Sequence, residues 1–287
     1  MKQNVLRMLK CIDKNQKRIK MMVQIITQVA NQAIGKQKCG RKRMKLTYAI
    51  AGMIYYMHSS ISWEELPSDF GNYKTIYGWY RRLTKLTIFK DSFEKAVKEL
   101  IKSKKLSLKC ILIDGSLATI MSGGRLARRN PRNHNKNTIN RMIAVNGKGI
   151  PLALQIEPGT AHDSQFLKPL LSKINDMYGL PKKFSVHADK GFDSIENRMA
   201  ISNYQGQASI PVRNHGYAPD VHCPRLKDKI RWKVERSIAW FNGFRRLHVV
   251  FARCMDSLLQ LYYLAALMIV SRKFNLKTLK YLNWNIL

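Results

Sequence analysis

The chain has 287 residues, with 51 Lys and Arg against 18 Asp and Glu, a formal net charge of +33 and a hydrophobic fraction of 45%. That apolar content excludes a disordered basic tail, which lacks the residues to build a core. So large a positive surplus repels itself unless something anionic is the normal partner, which points to nucleic acid ahead of an anionic membrane. The longest apolar run, 258–270 (LLQLYYLAALMIV), covers 13 residues, too few to span a bilayer, and reads as a buried helix. Lys and Arg interrupt the N-terminus throughout, so no signal peptide is expected. The five cysteines, Cys11, Cys39, Cys110, Cys223 and Cys254, are never closer than 28 residues. That spacing excludes CxxC pairs and fits reduced thiols in a soluble, intracellular protein.

In chain order, the first 45 residues hold 13 Lys and Arg and one acid, Asp13, and 3–34 is mostly helix-compatible. The basic tract 36–45 (KQKCGRKRMK) reads equally as a phosphate-contacting linker and as a solvated spacer. Residues 47–58 form an apolar helix candidate, a short piece follows at 63–66, and 73–85 offers a third helix carrying Arg81 and Arg82 among Tyr and Trp. Three short helices with cations on the last suit a helix-turn-helix-like module or an ordinary helical subdomain. From 108 the period changes. Residues 108–113 (LKCILI) read as a strand, 121–141 as a basic loop, and 140–145 with 150–156 as a hairpin joined through Asn146-Gly147. A helix is expected at 164–175, a strand at 184–188, a helix at 194–203, a strand at 208–212 and a long helix at 228–247. The order describes an α/β fold in which helices cover a mixed sheet.

Acids are scarce enough to be taken singly. Asp114 and Asp189 each follow an apolar strand, a position where open α/β sheets place their chemistry and where Asp also simply starts turns. Two neighbouring carboxylates disfavour joint ionisation, and a divalent cation between them removes that penalty. Glu235 is the best third acid, at the margin of the apolar face of the 228–247 helix. Arg231 lies one turn earlier, placed to pair with Glu235 or to hold a phosphate. Asp193, with Glu196 three residues on, reads as a helix cap, and so does Asp163; His187 reads as a core or supporting residue. No G-x-x-x-x-G-K-[ST] loop is present, which leaves an ATP-driven activity without support.

The segments ILIDGS, VNGKGIPLALQIEPGTAHDSQFL, HADKGFDS and RWKVERSIAWFNGFRRL, in that order, resemble the catalytic core of bacterial insertion-sequence transposases of the DDE, RNase H-like superfamily. ISWEELPSDFGNYKTIYGWYRR resembles the helical module that precedes this core. The resemblance implies an RNase H-like sheet and Asp114, Asp189 and Glu235 as catalytic acids holding Mg²⁺, two ions with Mn²⁺ as a substitute. It also implies double-stranded DNA as partner, a homodimer on that DNA, no ATP and no membrane, and a cytoplasmic, nucleoid-associated location. Arg81, Arg82, Arg128, Arg129, Arg132, Lys190, Arg231, Arg245 and Arg246 become the expected DNA contacts. The expected divisions are a basic helical segment 1–45, a DNA-recognition module 46–104, the DDE core 105–255 and a C-terminal helix 256–287. A Tyr-x₂-Arg-x₃-Glu-x₆-Lys signature of related elements is only partly kept, with Asp228 for Tyr and Asn242 for Lys. An endonuclease without strand transfer and an inactive DNA-binding remnant are the alternatives.

Overall fold

The structure, a computed structural model, describes residues 3–10, 12–35, 39–40, 42–121, 129–131, 134–212, 230–252 and 254–274. It divides into two compact units, one made of 1–99 with 241–287 and the other of 100–240.

The first unit is helical. Helix α1 covers Gln3–Leu9 and α2 covers Gln16–Ile34. The helix-compatible stretch 3–34 forms two helices, and Asn15 caps α2 through its side chain, accepting from the Arg18 N–H at 3.3 Å. Helix α3 (Leu46–Ser59) is buried along most of its length and packs on α2 and on α4 (Tyr73–Lys85). Asn72 caps α4 by accepting from the Lys74 N–H at 2.9 Å, and Ile76, Tyr80 and Leu83 form its buried side. Helix α5 covers Ile88–Lys102.

The second unit is built on a mixed sheet. Strand β1 (Cys110–Ile120) pairs antiparallel with β3 (Lys136–Asn146), which pairs antiparallel with β4 (Pro151–Pro158) and, at its start, with the two-residue β2 (Arg129–Asn130). On its other side β1 runs parallel to β5 (Phe184–His187), and β5 runs parallel to β6 (Gly206–Ser209). The order is therefore β4-β3-β1-β5-β6, an RNase H-like arrangement. Helix α6 (Leu167–Tyr178) buries Leu167, Leu170, Leu171 and Ile174 and follows a 3-10 turn at Asp163–Phe166, and α7 covers Ile195–Asn203. Helix α8 runs from Trp232 to Asn242.

The remaining helices belong to the first unit. Helix α9 (Arg245–His248) starts beyond Gly243 and Phe244, so the long helix expected to reach 247 ends at 242; its first residues, 228–229, lie outside the described set. Helix α10 (Met255–Ser271) contains the apolar run and is buried almost all round. Its Gln260 accepts the Lys90 N–H at 3.3 Å and the Ser257 carbonyl accepts the Tyr80 hydroxyl at 2.6 Å, so these two bonds are made inside the unit. No helix among the described residues is long and apolar enough to cross a membrane.

Two further expectations change. The basic loop 121–141 gives way to strand from Lys136 onward, while 122–128 and 132–133 lie outside the described residues. Asp193 does not cap α7. Ser194 does, accepting from the Asn197 N–H at 3.2 Å, and Asp193 instead forms a buried ion pair with Arg198 at 2.8 Å.

Candidate active site

Strand β1 does not stop at Asp114. It continues to Ile120 because β3 keeps pairing with it, Asp114 facing Ile143 and Thr119 facing Thr138. What stops is the parallel pairing with β5, whose last pair is Leu112 with His187. Two residues beyond that pair along the chain lie Asp114, still within β1, and Asp189, just past the end of β5, and both reach Arg231. The position of Asp114 is thus the carboxyl edge of the parallel part of the sheet, reached in mid-strand.

Each carboxylate is fixed locally. Asp114 Oδ1 accepts the Gly115 N–H at 2.8 Å, and Asp189 Oδ1 accepts the Lys190 N–H at 2.7 Å, capping the 3-10 turn Lys190–Phe192. Glu235 comes from the first turn of α8. Between them stands Arg231. Its Nη1 lies 3.3 Å from Asp189 Oδ1, and its Nη2 lies 3.9 Å from both Asp114 Oδ2 and Glu235 Oε1. One guanidinium therefore gathers all three acids.

Exposure grades across the site, with side chains 19% exposed at Asp114, 45% at Asp189 and 60% at Glu235, so one acid is sunk in the sheet and two face the opening. Burial pushes the Asp114 carboxyl above the usual carboxylate range, against the pull of the Gly115 N–H and of Arg231, and the charges of Asp189 and Glu235 push the same way as burial. His187, whose ring nitrogen lies 3.0 Å from Ser185 Oγ, is held below the usual histidine range by burial and supports the strand. Asp163 accepts the Asn140 side-chain amide at 2.8 Å, tying β3 to the loop before α6; it does not cap a helix.

A second set of residues fixes α8. Lys233 Nζ donates to the Gly147 carbonyl at 2.8 Å, Arg236 Nη2 to that of Lys148 at 2.9 Å and Ser237 Oγ to that of Gly149 at 2.6 Å. Three consecutive carbonyls of the β3–β4 turn are thus clasped by one helix. Arg236 also lies between the rings of Trp232 and Trp240, at 4.6 and 4.8 Å. Gly149 is required twice over: its φ is +78°, and a Cβ there would stand 2.9 Å from the Lys233 carbonyl. The sequence marks the hairpin turn at Asn146-Gly147 but not that α8 holds it. The signal was present in the paired glycines of Asn146-Gly147-Lys148-Gly149.

The other expected contacts are placed as follows. Arg81 and Arg82 are exposed on α4, Arg129 on β2, Lys190 beside Asp189 and Arg245 on α9. Arg246 is half-buried in the helical unit, stacked on Tyr56 and Phe251 at 4.7 and 4.8 Å. Arg128 and Arg132 lie outside the described residues.

The strand order is RNase H-like, and Asp114, Asp189 and Glu235 meet around Arg231 beside it. The transposase DDE domain family matches residues 106–270, and a family described as putative transposases of the IS4/5 family matches 23–93. The chain belongs to the DDE transposases. Among curated relatives, a putative transposase for insertion sequence element IS402 of Burkholderia cepacia is 32% identical over 124 residues, covering 40% of this chain and 54% of that protein. The transposase for insertion sequence element IS1106 of Neisseria meningitidis serogroup B is 42% identical over 97 residues, covering 32% of each. The chain therefore spans about half the length of the first relative and about a third of the second.

Domains of this family depend on a metal. Among the described residues, no three His, Cys, Asp or Glu side chains stand close enough to hold one ion between them as they are. Mg²⁺ does not need three. It binds through one or two carboxylates, keeps several waters and takes phosphate oxygens as further ligands. The donor set here is all oxygen, and its three members already converge on a positive group within 4 Å of each. The residues fit a hard divalent cation.

Proposed function

We propose that this chain is the transposase of its own insertion element, cutting DNA at the element's ends and joining the freed ends to target DNA. The observation that carries this reading is the convergence of Asp114, Asp189 and Glu235 on one guanidinium in a chain of net charge +33. The three acids would hold Mg²⁺, two ions in all and replaceable by Mn²⁺. When bound, the metal activates the attacking oxygen and stabilises the leaving oxygen of an in-line displacement.

The chain's own residues supply position and charge. Asp114 and Asp189 are pre-set by the backbone N–H groups they accept, and Glu235 by the clasp that holds α8 to the β3–β4 turn. With a divalent cation held by the acids, the Arg231 guanidinium would be free for phosphate oxygens, which it matches in a bidentate fashion. Arg128, Arg129, Arg132, Lys190 and Arg245 grip the DNA backbone, and Arg81 and Arg82 serve the helical module. Arg246, stacked inside its unit, is left out of that set. Double-stranded DNA is the partner, two copies work together on paired ends, and the phosphodiester itself provides the leaving group, so no ATP enters. The site of action is the bacterial cytoplasm, on the nucleoid.

The test is a strand-transfer reaction. Purified full-length chain with Mg²⁺ and a plasmid carrying the element's ends is expected to release the element and join it to a second plasmid. Asp114→Ala, Asp189→Ala and Glu235→Ala are each expected to lose both steps, by roughly a thousandfold or more, while still binding the end DNA. Cutting without joining reduces the reading to an endonuclease. Binding without cutting by the parent reduces it to an inactive remnant.

A further inference from the structure

Two helical glycines lie in the module formed by α3 and α4, and only one has a reason inside the chain. A Cβ on Gly52 would meet Ile76, Leu66 and Phe70 at 3.2–3.3 Å, so Gly52 lets α3 and α4 approach. A Cβ on Gly78 would meet nothing within 4 Å, and Gly78 is exposed in the middle of α4. Glycine in a helix interior costs about 0.5–1 kcal/mol relative to alanine. Folding gives no return for that cost.

The neighbours of Gly78 are specific. On a helix its three- and four-residue neighbours are Lys74, Thr75, Arg81 and Arg82, and Lys85 stands one turn further. All five are exposed or nearly so, whereas Ile76, Tyr80 and Leu83 face inward. Helix α4 carries no acid, and none of these four cations forms an ion pair with a carboxylate among the described residues. Like charges so close along a helix destabilise it further. Lys74 lies over the Tyr73 ring at 5.9 Å and Arg82 over the Trp79 ring at 5.6 Å, so Gly78 is a gap at the centre of a one-signed face, and it is the glycine that folding leaves unexplained.

We propose that this face of α4 docks into a groove of duplex DNA, with the helix backbone at Gly78 in close approach to the nucleic acid. A major groove about 12 Å wide admits a helix about 10–12 Å across with little clearance, and a missing side chain at the contact line lets the axis sink deeper. Lys74, Arg81, Arg82 and Lys85 then flank the contact, placed for phosphates and base edges. A polyanion cancels the four charges and fills the gap that Gly78 leaves. This inference rests on the reading of the protein as DNA-directed and adds the surface and the mode of approach.

The experiment uses the full chain, fluorescent duplexes copied from the two ends of the element, an unrelated duplex and anionic vesicles. Gly78→Ala is expected to raise the unfolding midpoint and to weaken binding to the end duplex about tenfold or more. Gly78→Gln is expected to weaken it further. Neither variant changes a charge, so the salt dependence of binding stays as in the parent, whereas Arg81→Ala lowers its slope by about one. If both glycine variants bind the end duplex as the parent does, the close approach is wrong while the DNA reading stands. If the parent binds no duplex, or prefers vesicles, the DNA reading falls and this inference with it.

Discussion

Helices α4 and α8 look alike as sequence, both being short, basic and rich in Trp or Tyr, yet they use their cations in opposite ways. On α8 the cations turn inward, Lys233 and Arg236 to turn carbonyls at 2.8 and 2.9 Å, while Arg231 just before it faces three acids. On α4 the cations stand exposed around a bare glycine, Lys74 and Arg82 over the rings of Tyr73 and Trp79 at 5.9 and 5.6 Å, and none pairs with a carboxylate among the described residues. The difference teaches that a basic residue count does not mark a DNA-binding surface. What matters is whether carbonyls or carboxylates in the same unit already use the charge.

The comparison can be broken in several ways. The largest effect is expected at Gly149→Ala, which forces a side chain into a φ of +78° and against the Lys233 carbonyl. A loss of roughly 1–3 kcal/mol is expected in urea unfolding, together with a fall in cleavage rate as α8 shifts. Arg236→Ala comes next. It removes two ring stacks and one hydrogen bond and should cost roughly 1–2 kcal/mol, whereas Arg81→Ala should stay within about 0.5 kcal/mol of the parent. Equal thermal midpoints for these two variants would erase the distinction between the helices.

Arg231→Ala sharpens the same point at the site itself. Without the guanidinium three acids face one another, so the variant should unfold earlier than the parent in a chelator, by about 1 kcal/mol, and recover in millimolar Mg²⁺. An equal deficit with and without metal would mean that Arg231 supports the fold and not the charge balance.

The smallest effect concerns pH in the helical unit. Burial, and then the charge of Arg245, hold His58 below the usual histidine range. The unfolded chain therefore binds the proton more tightly than the native one, and stability falls as pH drops from neutral through the ordinary histidine value. The urea midpoint of His58→Asn should change less between pH 7.5 and 5.5 than that of the parent; identical slopes would remove His58 from the account.

Much of this arrangement is legible in the sequence. The apolar runs before Asp114 and Asp189 mark two neighbouring parallel strands, and each acid lies two residues beyond the last β1–β5 pair. The end of β1 is not legible, because Gly115 and Ser116 read as a turn and only the partner strand β3 keeps them extended. The break after Asn242 is equally hidden, since a glycine inside an amphipathic pattern lowers helix stability without deciding where the chain turns. The clasp of α8 escapes for a third reason: Lys233 and Arg236 meet carbonyls about 86 residues away, and no local pattern predicts such a meeting.

The central claim is that Asp114, Asp189 and Glu235 form one divalent-metal site, and a Mn²⁺ titration followed by electron paramagnetic resonance tests it most directly. The account predicts saturable binding by the full-length parent, weakened about tenfold or more in each of Asp114→Ala, Asp189→Ala and Glu235→Ala. Binding in all three variants that matches the parent would contradict it.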